Sequence, residues 1–227
     1  MLIWLVVNLS LLLGAYVLGS IPTGYAAGRL LKGIDIRQEG SGSTGATNVL
    51  RTLGKGPAVM VLLVDVLKGV GAVALVNWAY YLEFTSTLAS PPILLGWLPW
   101  MVTGAALAAV LGHSKSVWLG FTGGKSVATS LGVLLAMSWP VGLAALGVFG
   151  VFIGVSRIVS LSSIAAAMAV PLIFFATHSP TPYLLFGFAG GIYVIWRHRS
   201  NITRIMAGTE PKVGEKLPSS PEADSAA

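Results

Sequence analysis

The chain has no cysteine, which removes disulfides, thiol nucleophiles and cysteine-ligated metals together. Charge is nearly as scarce. Asp, Glu, Lys and Arg make up 10% of the 227 residues, against about 25% in ordinary soluble domains. Only three histidines occur, scattered and without a nearby carboxylate, so no metal-ligand spacing exists and no metal or other cofactor is expected. No basic residue precedes the first apolar run. That argues against a cleaved signal peptide, whose first region is positive, so the first segment is expected to stay in the membrane. What remains is overwhelmingly apolar: 55% hydrophobic residues and a mean hydropathy of +0.81. The expected fold class is an all-α, polytopic integral membrane protein.

Apolar stretches fall at about 2 to 20 (running past Pro22 to about Leu31), 57 to 80, 93 to 111, 126 to 138, 141 to 156, 160 to 177 and 182 to 196. They predict about seven helices, with five full spans as the alternative. The fourth and fifth are short for a bilayer that needs about 20 residues, which predicts tilted, broken or re-entrant segments. Lys and Arg crowd into alternate connections, whereas those at 81 to 92, 138 to 140 and 177 to 182 carry none. The positive-inside rule therefore places the N-terminus outside and the C-terminus in the cytoplasm. The net charge of +6 is mostly this asymmetry, so no nucleic-acid partner is read from it, and no obligate protein partner is evident. Residues 1–210 read as one membrane domain. The Pro-, Ser-, Glu- and Ala-rich stretch from Pro211 to 227 has too few apolar residues to pack and reads as a disordered tail.

Three polar clusters interrupt this apolar background, all on the side assigned to the cytoplasm. Gly40 to Arg51, GSGSTGATNVLR, combines small hydroxyls and glycines with Asn48 and the planar fork of Arg51, a composition suited to phosphate. Gly112 to Ser130, GHSKSVWLGFTGGKSVATS, can hold an anion on a glycine turn beside Lys125, at the positive end of a helix. It lacks the flanking strand and further glycine of a nucleotide-binding loop, and a plain interhelical turn with a snorkelling lysine is the structural alternative. The third cluster joins Ser160-Leu161-Ser162-Ser163, next to Arg157, to His198, Asn201, Arg204 and Glu210. His198 and Asn201 share a face if the last helix continues through them, although basic residues after a final span are often only topology anchors. Asp65 and Lys68 alone lie well inside a span. They are three apart and can pair, either as a functional site or as a packing device.

GSIPTGY, GSGSTGATNVLR, GHSKSVWLGFTGGKSVAT, SLSSI and HRSNITRIMAGTE closely resemble, in order from Gly19 to Glu210, the bacterial acyl-phosphate:glycerol-3-phosphate acyltransferase family. The resemblance implies transfer of a fatty acyl group from acyl phosphate, not from acyl-CoA or acyl carrier protein, to the 1-hydroxyl of sn-glycerol 3-phosphate. Lysophosphatidic acid and phosphate are the implied products, at the cytoplasmic face of a bacterial inner membrane. It implies catalytic roles for Ser41, Arg51, His198 and Asn201. It also implies substrate binding by Thr47, Asn48, Gly123, Gly124, Lys125 and Ser162, and a structural role for Glu210. The sequence departs from the commoner pattern at Ser43 (often Asn), Ser116 (often Pro), Thr122 (often Lys) and Ser126 (often Gly). The change at Thr122 leaves Lys125 as the only cation of its turn.

The residues agree with that chemistry. Two phosphates and a lipid chain need cationic, N–H-rich pockets next to an apolar groove. With phosphate as a good leaving group, positioning and charge stabilisation carry the rate. No Ser-His-Asp order points to an acyl-enzyme. His198 is the best protein base, with an ordinary imidazole value near 6.5, while the substrate phosphate can itself take the proton. The rival class is a transporter or channel for an anionic solute, built from broken helices.

Overall fold

The structure, a computed structural model, describes residues 2–215, so most of the expected tail lies outside the described residues. Its helices in chain order are α1 (Leu2–Ser20), α2 (Thr23–Lys32), α3 (Ala46–Leu53), α4 (Lys55–Tyr81), α5 (Glu83–Leu88), α6 (Pro91–Ser114), α7 (Val127–Met137), α8 (Trp139–Ser156), α9 (Val159–Ala176), α10 (Thr181–Arg197) and α11 (Arg199–Met206). Each of the seven apolar stretches is a helix. Five of these segments are long and apolar enough to cross a membrane: Leu2–Lys32, Lys55–Tyr81, Pro91–Ser114, Trp139–Ser156 and Val159–Ala176. At 11 residues, α7 is only about 16 Å long, roughly half a hydrocarbon core. Of the expected tail, Pro211 is buried and the Val213 N–H donates to the Arg157 carbonyl (2.8 Å), so its first residues fold back on the junction of α8 and α9.

Helices that are apolar on every side have no water-driven preference for one another in lipid, so close backbone approach and hydrogen bonds decide the packing. A methyl group on Gly112 of α6 would overlap the Tyr16 carbonyl of α1, and one on Gly132 of α7 would overlap the Val66 carbonyl of α4. Glycine permits both crossings. Outward-facing Leu30, Leu67, Val155 and Leu172 are exposed, as lipid-facing residues are, while Val73, Val76, Val102, Ala105 and Phe174 fill the core between helices.

The break between α1 and α2 explains the buried charges. Pro22 has no N–H and its ring disrupts the preceding turn, so the Ser20 and Ile21 carbonyls lose their helical partners, and the Thr23 N–H reaches back to the Ile21 carbonyl (3.0 Å). Ser116 Oγ donates to the Ser20 carbonyl (2.6 Å) and Lys68 Nζ to the Ile21 carbonyl (3.0 Å). Lys68 also pairs with Asp65 Oδ1 at 2.9 Å, with both side chains almost fully buried, and Thr23 Oγ1 at the start of α2 donates to the same carboxylate oxygen. The expected pair therefore forms, and it ties α4 to the broken first segment.

Removing one partner of a buried pair leaves an uncompensated charge. Lys68→Met should cost about 3–5 kcal/mol of stability, read as a lower unfolding temperature in detergent. Adding Asp65→Asn should restore more than half of that loss; equal loss in the single and double variants would contradict the pairing.

Candidate active site

The Glu210 carboxylate, buried beyond the end of α11, collects three donors from two helices. Oε1 accepts from Ser160 Oγ (2.7 Å) at the start of α9 and from Asn201 Nδ2 (2.6 Å) on α11, and Oε2 accepts from Arg204 Nε (2.7 Å). Burial alone would push this carboxyl up, but the bonds from Ser160, Asn201 and Arg204 outweigh it and hold Glu210 below its ordinary value. It is a fixed anion. Asn201 turns its other end outward, where Oδ1 accepts from Lys125 Nζ at 2.5 Å. A lysine can only donate and a carboxylate only accept, so the amide orientation is determined.

Lys125 stands in the connection between α6 and α7, half-buried. Burial, then the nearby positive charges of Arg204, Arg51 and Arg197, lower its pKa to about 8 despite the attraction of Glu210. Arg51, on α3, is also lowered by burial and feels Glu210 and Arg204. Among the described residues no hydrogen bond or ion pair occupies its guanidinium. Three cations, Arg51, Lys125 and Arg204, thus face one carboxylate, and the guanidinium of Arg51 and part of the Lys125 ammonium keep donors free.

His198 is buried where α10 ends and α11 begins; the two helices are separate, so the last helix does not run on through it as one rod. Its Nδ1 lies 2.8 Å from the Val194 carbonyl. A carbonyl cannot donate, so Nδ1 carries the hydrogen and the neutral ring is left with a lone pair on Nε2. Burial first, then the Lys125 and Arg197 charges, lower the imidazole to about 4, against the opposing effects of Val194 and Glu210. His198 is therefore neutral at pH 7, well below the ordinary imidazole value.

The Gly123-Gly124 turn, the expected anion cradle, is tied into the fold through its carbonyls and one of its N–H groups. The Gly124 N–H donates to the His113 carbonyl (3.3 Å), and both glycine carbonyls accept from Arg197 Nη2 (3.1 and 2.8 Å). Methyl groups here would overlap the His113 carbonyl and ring. Ser126, where the resembling family more often has glycine, adopts φ +64°, a conformation glycine takes without strain; its Oγ is tied to the Val110 carbonyl (2.7 Å). Thr122 Oγ1 accepts from Arg37 Nη1 (3.3 Å), so an arginine stands near the position where that family has lysine.

Asn48 is almost fully buried and organises its own loop. Its Nδ2 lies 2.9–3.1 Å from the carbonyls of Ile36, Glu39 and Ser43, and its Oδ1 accepts the Ser41 N–H (2.9 Å). This loop, α3 and the two other polar clusters meet around a cavity of about 680 Å³. Ser41, Thr47, Asn48, Arg51, Lys125, His198, Asn201 and Glu210 line it, whereas Gly123, Gly124 and Ser162 do not. Ser162 Oγ is turned back to the Ile158 carbonyl (2.8 Å). Sequence reasoning placed Ser160 and Arg197 in the third cluster without singling either out, because Ser160 is one hydroxyl of a triplet and Arg197 has the position of an ordinary topology anchor. From this polar mouth the cavity continues as an apolar trough. Leu134, Val170 and Phe186 close its inner side, and the exposed Val59, Leu62 and Leu146 leave it open toward lipid. Among the described residues no three His, Asp or Glu side chains converge to hold a metal ion.

The profile of the glycerol-3-phosphate acyltransferase family matches residues 9–208. A glycerol-3-phosphate acyltransferase of Trichormus variabilis is 60% identical over 216 residues, covering 95% of this chain and 96% of the relative. One from Acaryochloris marina is 60% identical over 217 residues, with the same coverage of both chains. Among solved structures, the glycerol 3-phosphate form of PlsY, an integral membrane glycerol 3-phosphate acyltransferase, superposes with a TM-score of 0.78 at 38% identity, covering 91% of this chain and 96% of that one. Its lysophosphatidic acid form gives a TM-score of 0.75 at the same identity, covering 91% and 95%.

Proposed function

The chain belongs to the glycerol-3-phosphate acyltransferase family and is a membrane acyltransferase, and we propose that its donor is an acyl phosphate and its products are lysophosphatidic acid and inorganic phosphate. The supporting observation is a single cavity in which a mouth with surplus positive charge runs into an apolar trough open to lipid. The trough takes the acyl chain, and the mouth takes two phosphates. Arg51 and Lys125 bind them, with Asn201 holding Lys125 and Glu210 holding Asn201. Ser41 and Thr47 add hydroxyl donors at the rim, Asn48 shapes the loop that carries them, and Gly123, Gly124 and Ser162 support the pocket from behind.

In the reaction the 1-hydroxyl oxygen of glycerol 3-phosphate attacks the acyl carbonyl carbon, the new ester C–O bond forms and the bond from that carbon to the phosphate oxygen breaks. The hydroxyl proton passes to His198 Nε2 and ends on the departing phosphate. A neutral ring with a free Nε2 lone pair suits an acceptor of that proton better than a cationic clamp on phosphate. Little bond activation is demanded, because phosphate leaves readily and the site supplies fixed positive charge where it departs.

Purified protein given acyl phosphate and glycerol 3-phosphate should release inorganic phosphate together with lysophosphatidic acid; a transporter of anionic solutes would release none. His198→Gln should lose about 10²-fold to 10⁴-fold in kcat, the usual range for a general base. Because the free histidine ionises at about 4, the acidic limb of kcat/KM near pH 6 belongs to the substrate phosphate and should survive in that variant. A variant keeping more than a tenth of kcat, or losing the limb, would contradict the base assignment.

The cationic connections further support a mouth that faces the cytoplasm of a bacterial inner membrane. A cysteine at Ser179 should react with an impermeant reagent in intact cells and one at Thr122 should not. The opposite pattern would reverse the orientation.

A further inference from the structure

His113, on the last turn of α6, is buried between the Asp65–Lys68 pair and the Gly123-Gly124 turn. On one side its Nδ1 lies 3.7 Å from Asp65 Oδ1, too long for a direct hydrogen bond, and neither Nδ1 nor Asp65 Oδ2 has a partner among the described residues. Both residues line the cavity described above, and buried polar atoms without a partner carry a desolvation cost. On the other side the ring lies against Gly124: a methyl there would overlap Nε2, and one on Gly123 would overlap the His113 carbonyl. The Gly124 N–H is bonded to that carbonyl, and Arg197 grips both glycine carbonyls from beyond. The turn is clamped between an imidazole and a guanidinium, and the residue that leaves the clamp is Lys125.

The carboxylate behind the ring is itself immobile. Thr23 of α2 and Lys68 of α4 both bond Asp65 Oδ1, and Lys68 is anchored on the Ile21 carbonyl. Contacts therefore run without a gap from the proline break through Asp65, His113 and Gly124 to the Lys125 ammonium. Apart from Ile21, which is exposed, the groups in that series are buried or half-buried, in a close-packed interior that transmits strain.

We propose that His113, backed by the Asp65–Lys68 pair, is the positioning residue that sets the height of the Gly123-Gly124 turn and so places Lys125 on the phosphate of glycerol 3-phosphate. His113 lines the same cavity as the substrate-binding residues, and the role proposed for it is exerted through the turn rather than on a reacting atom. Its removal must act through the placement of Lys125, so the loss falls on binding of glycerol 3-phosphate rather than on the chemical step. The proposal rests on the proposed acyltransferase function. It also accounts for the glycine at 124: the space a side chain would need is occupied by the ring.

The test is a double-mutant cycle on the full-length protein in detergent, reading KM for each substrate, kcat, and glycerol 3-phosphate affinity by calorimetry. His113→Ala and Gly124→Ala should each raise KM and Kd for glycerol 3-phosphate about tenfold or more, with kcat and the KM for acyl phosphate changed less than about threefold. In the double variant the methyl at 124 occupies space vacated by the ring, so the loss should be no worse than that of the weaker-binding single variant. Multiplying losses, near 100-fold, would mean independent sites and overturn the proposal. So would an unchanged glycerol 3-phosphate KM in His113→Ala, or equal effects on both substrates. If His113→Ala does not elute as a folded species, His113→Asn, which keeps a polar atom near the Nδ1 position, replaces it and the same outcomes decide. A wild type that neither binds nor acylates glycerol 3-phosphate overturns the acyltransferase function and this proposal with it. An active wild type with a multiplying cycle overturns the positioning role alone.

Discussion

The bond from Lys125 to Asn201, continued from Asn201 to Glu210, joins the connection after α6 to the segment after α10, and the rest of the site depends on it. Glu210 commits its charge to Ser160, Asn201 and Arg204, so it organises the mouth without cancelling it. A carboxylate with three good donors can remain ionised in a buried place. Around it Arg51 and Lys125 keep free donors in a setting of reduced dielectric, where each charge-assisted bond to a phosphate is stronger than it would be in water. In the proposed reaction the substrate phosphates supply the missing negative charge.

The membrane imposes the second constraint. A helix broken at Pro22 leaves the Ser20 and Ile21 carbonyls without their helical partners, and the protein meets them with Ser116 and Lys68. Lys68 in turn requires Asp65. A local defect in the first segment thus recruits a buried ion pair on α4, and that pair stands behind the imidazole that supports the phosphate turn. Ser116 shows why a departure from the commoner family pattern is tolerated: its hydroxyl makes a bond that a proline there could not, and its φ of −66° suits either residue.

The helices were legible because lipid makes the pattern simple: each apolar stretch became a helix, including the short α7. The Asp65–Lys68 pair followed from a spacing of three within one helix, and the convergence of the three polar clusters from their common side. Long-range geometry was not legible. Gly123 and Gly124 have the composition of an anion cradle, but composition did not show that the Gly124 N–H is bonded to His113 or that both carbonyls are held by Arg197, more than 70 positions away in the chain. Asn48 reads as a ligand residue by type, but it bonds the backbone around it. The folding back of Pro211 to Glu215 depends on contact with Arg157, and no composition rule contains such a contact. The resemblance to a known family supplied the donor and the roles; it could not supply the fact that His198 is buried with Nδ1 already donating.

If uncompensated positive charge at the mouth binds the acceptor's phosphate, removing that charge from Lys125 must weaken binding, and calorimetric titration of Lys125→Met with glycerol 3-phosphate measures the change. Methionine keeps the length of the side chain and removes its charge. Loss of one charge-assisted contact, worth about 1.5–3 kcal/mol, predicts an affinity about 10-fold to 100-fold weaker, in a protein that still elutes as one folded species. An affinity equal to that of the unaltered protein would refute the role given to the cationic mouth.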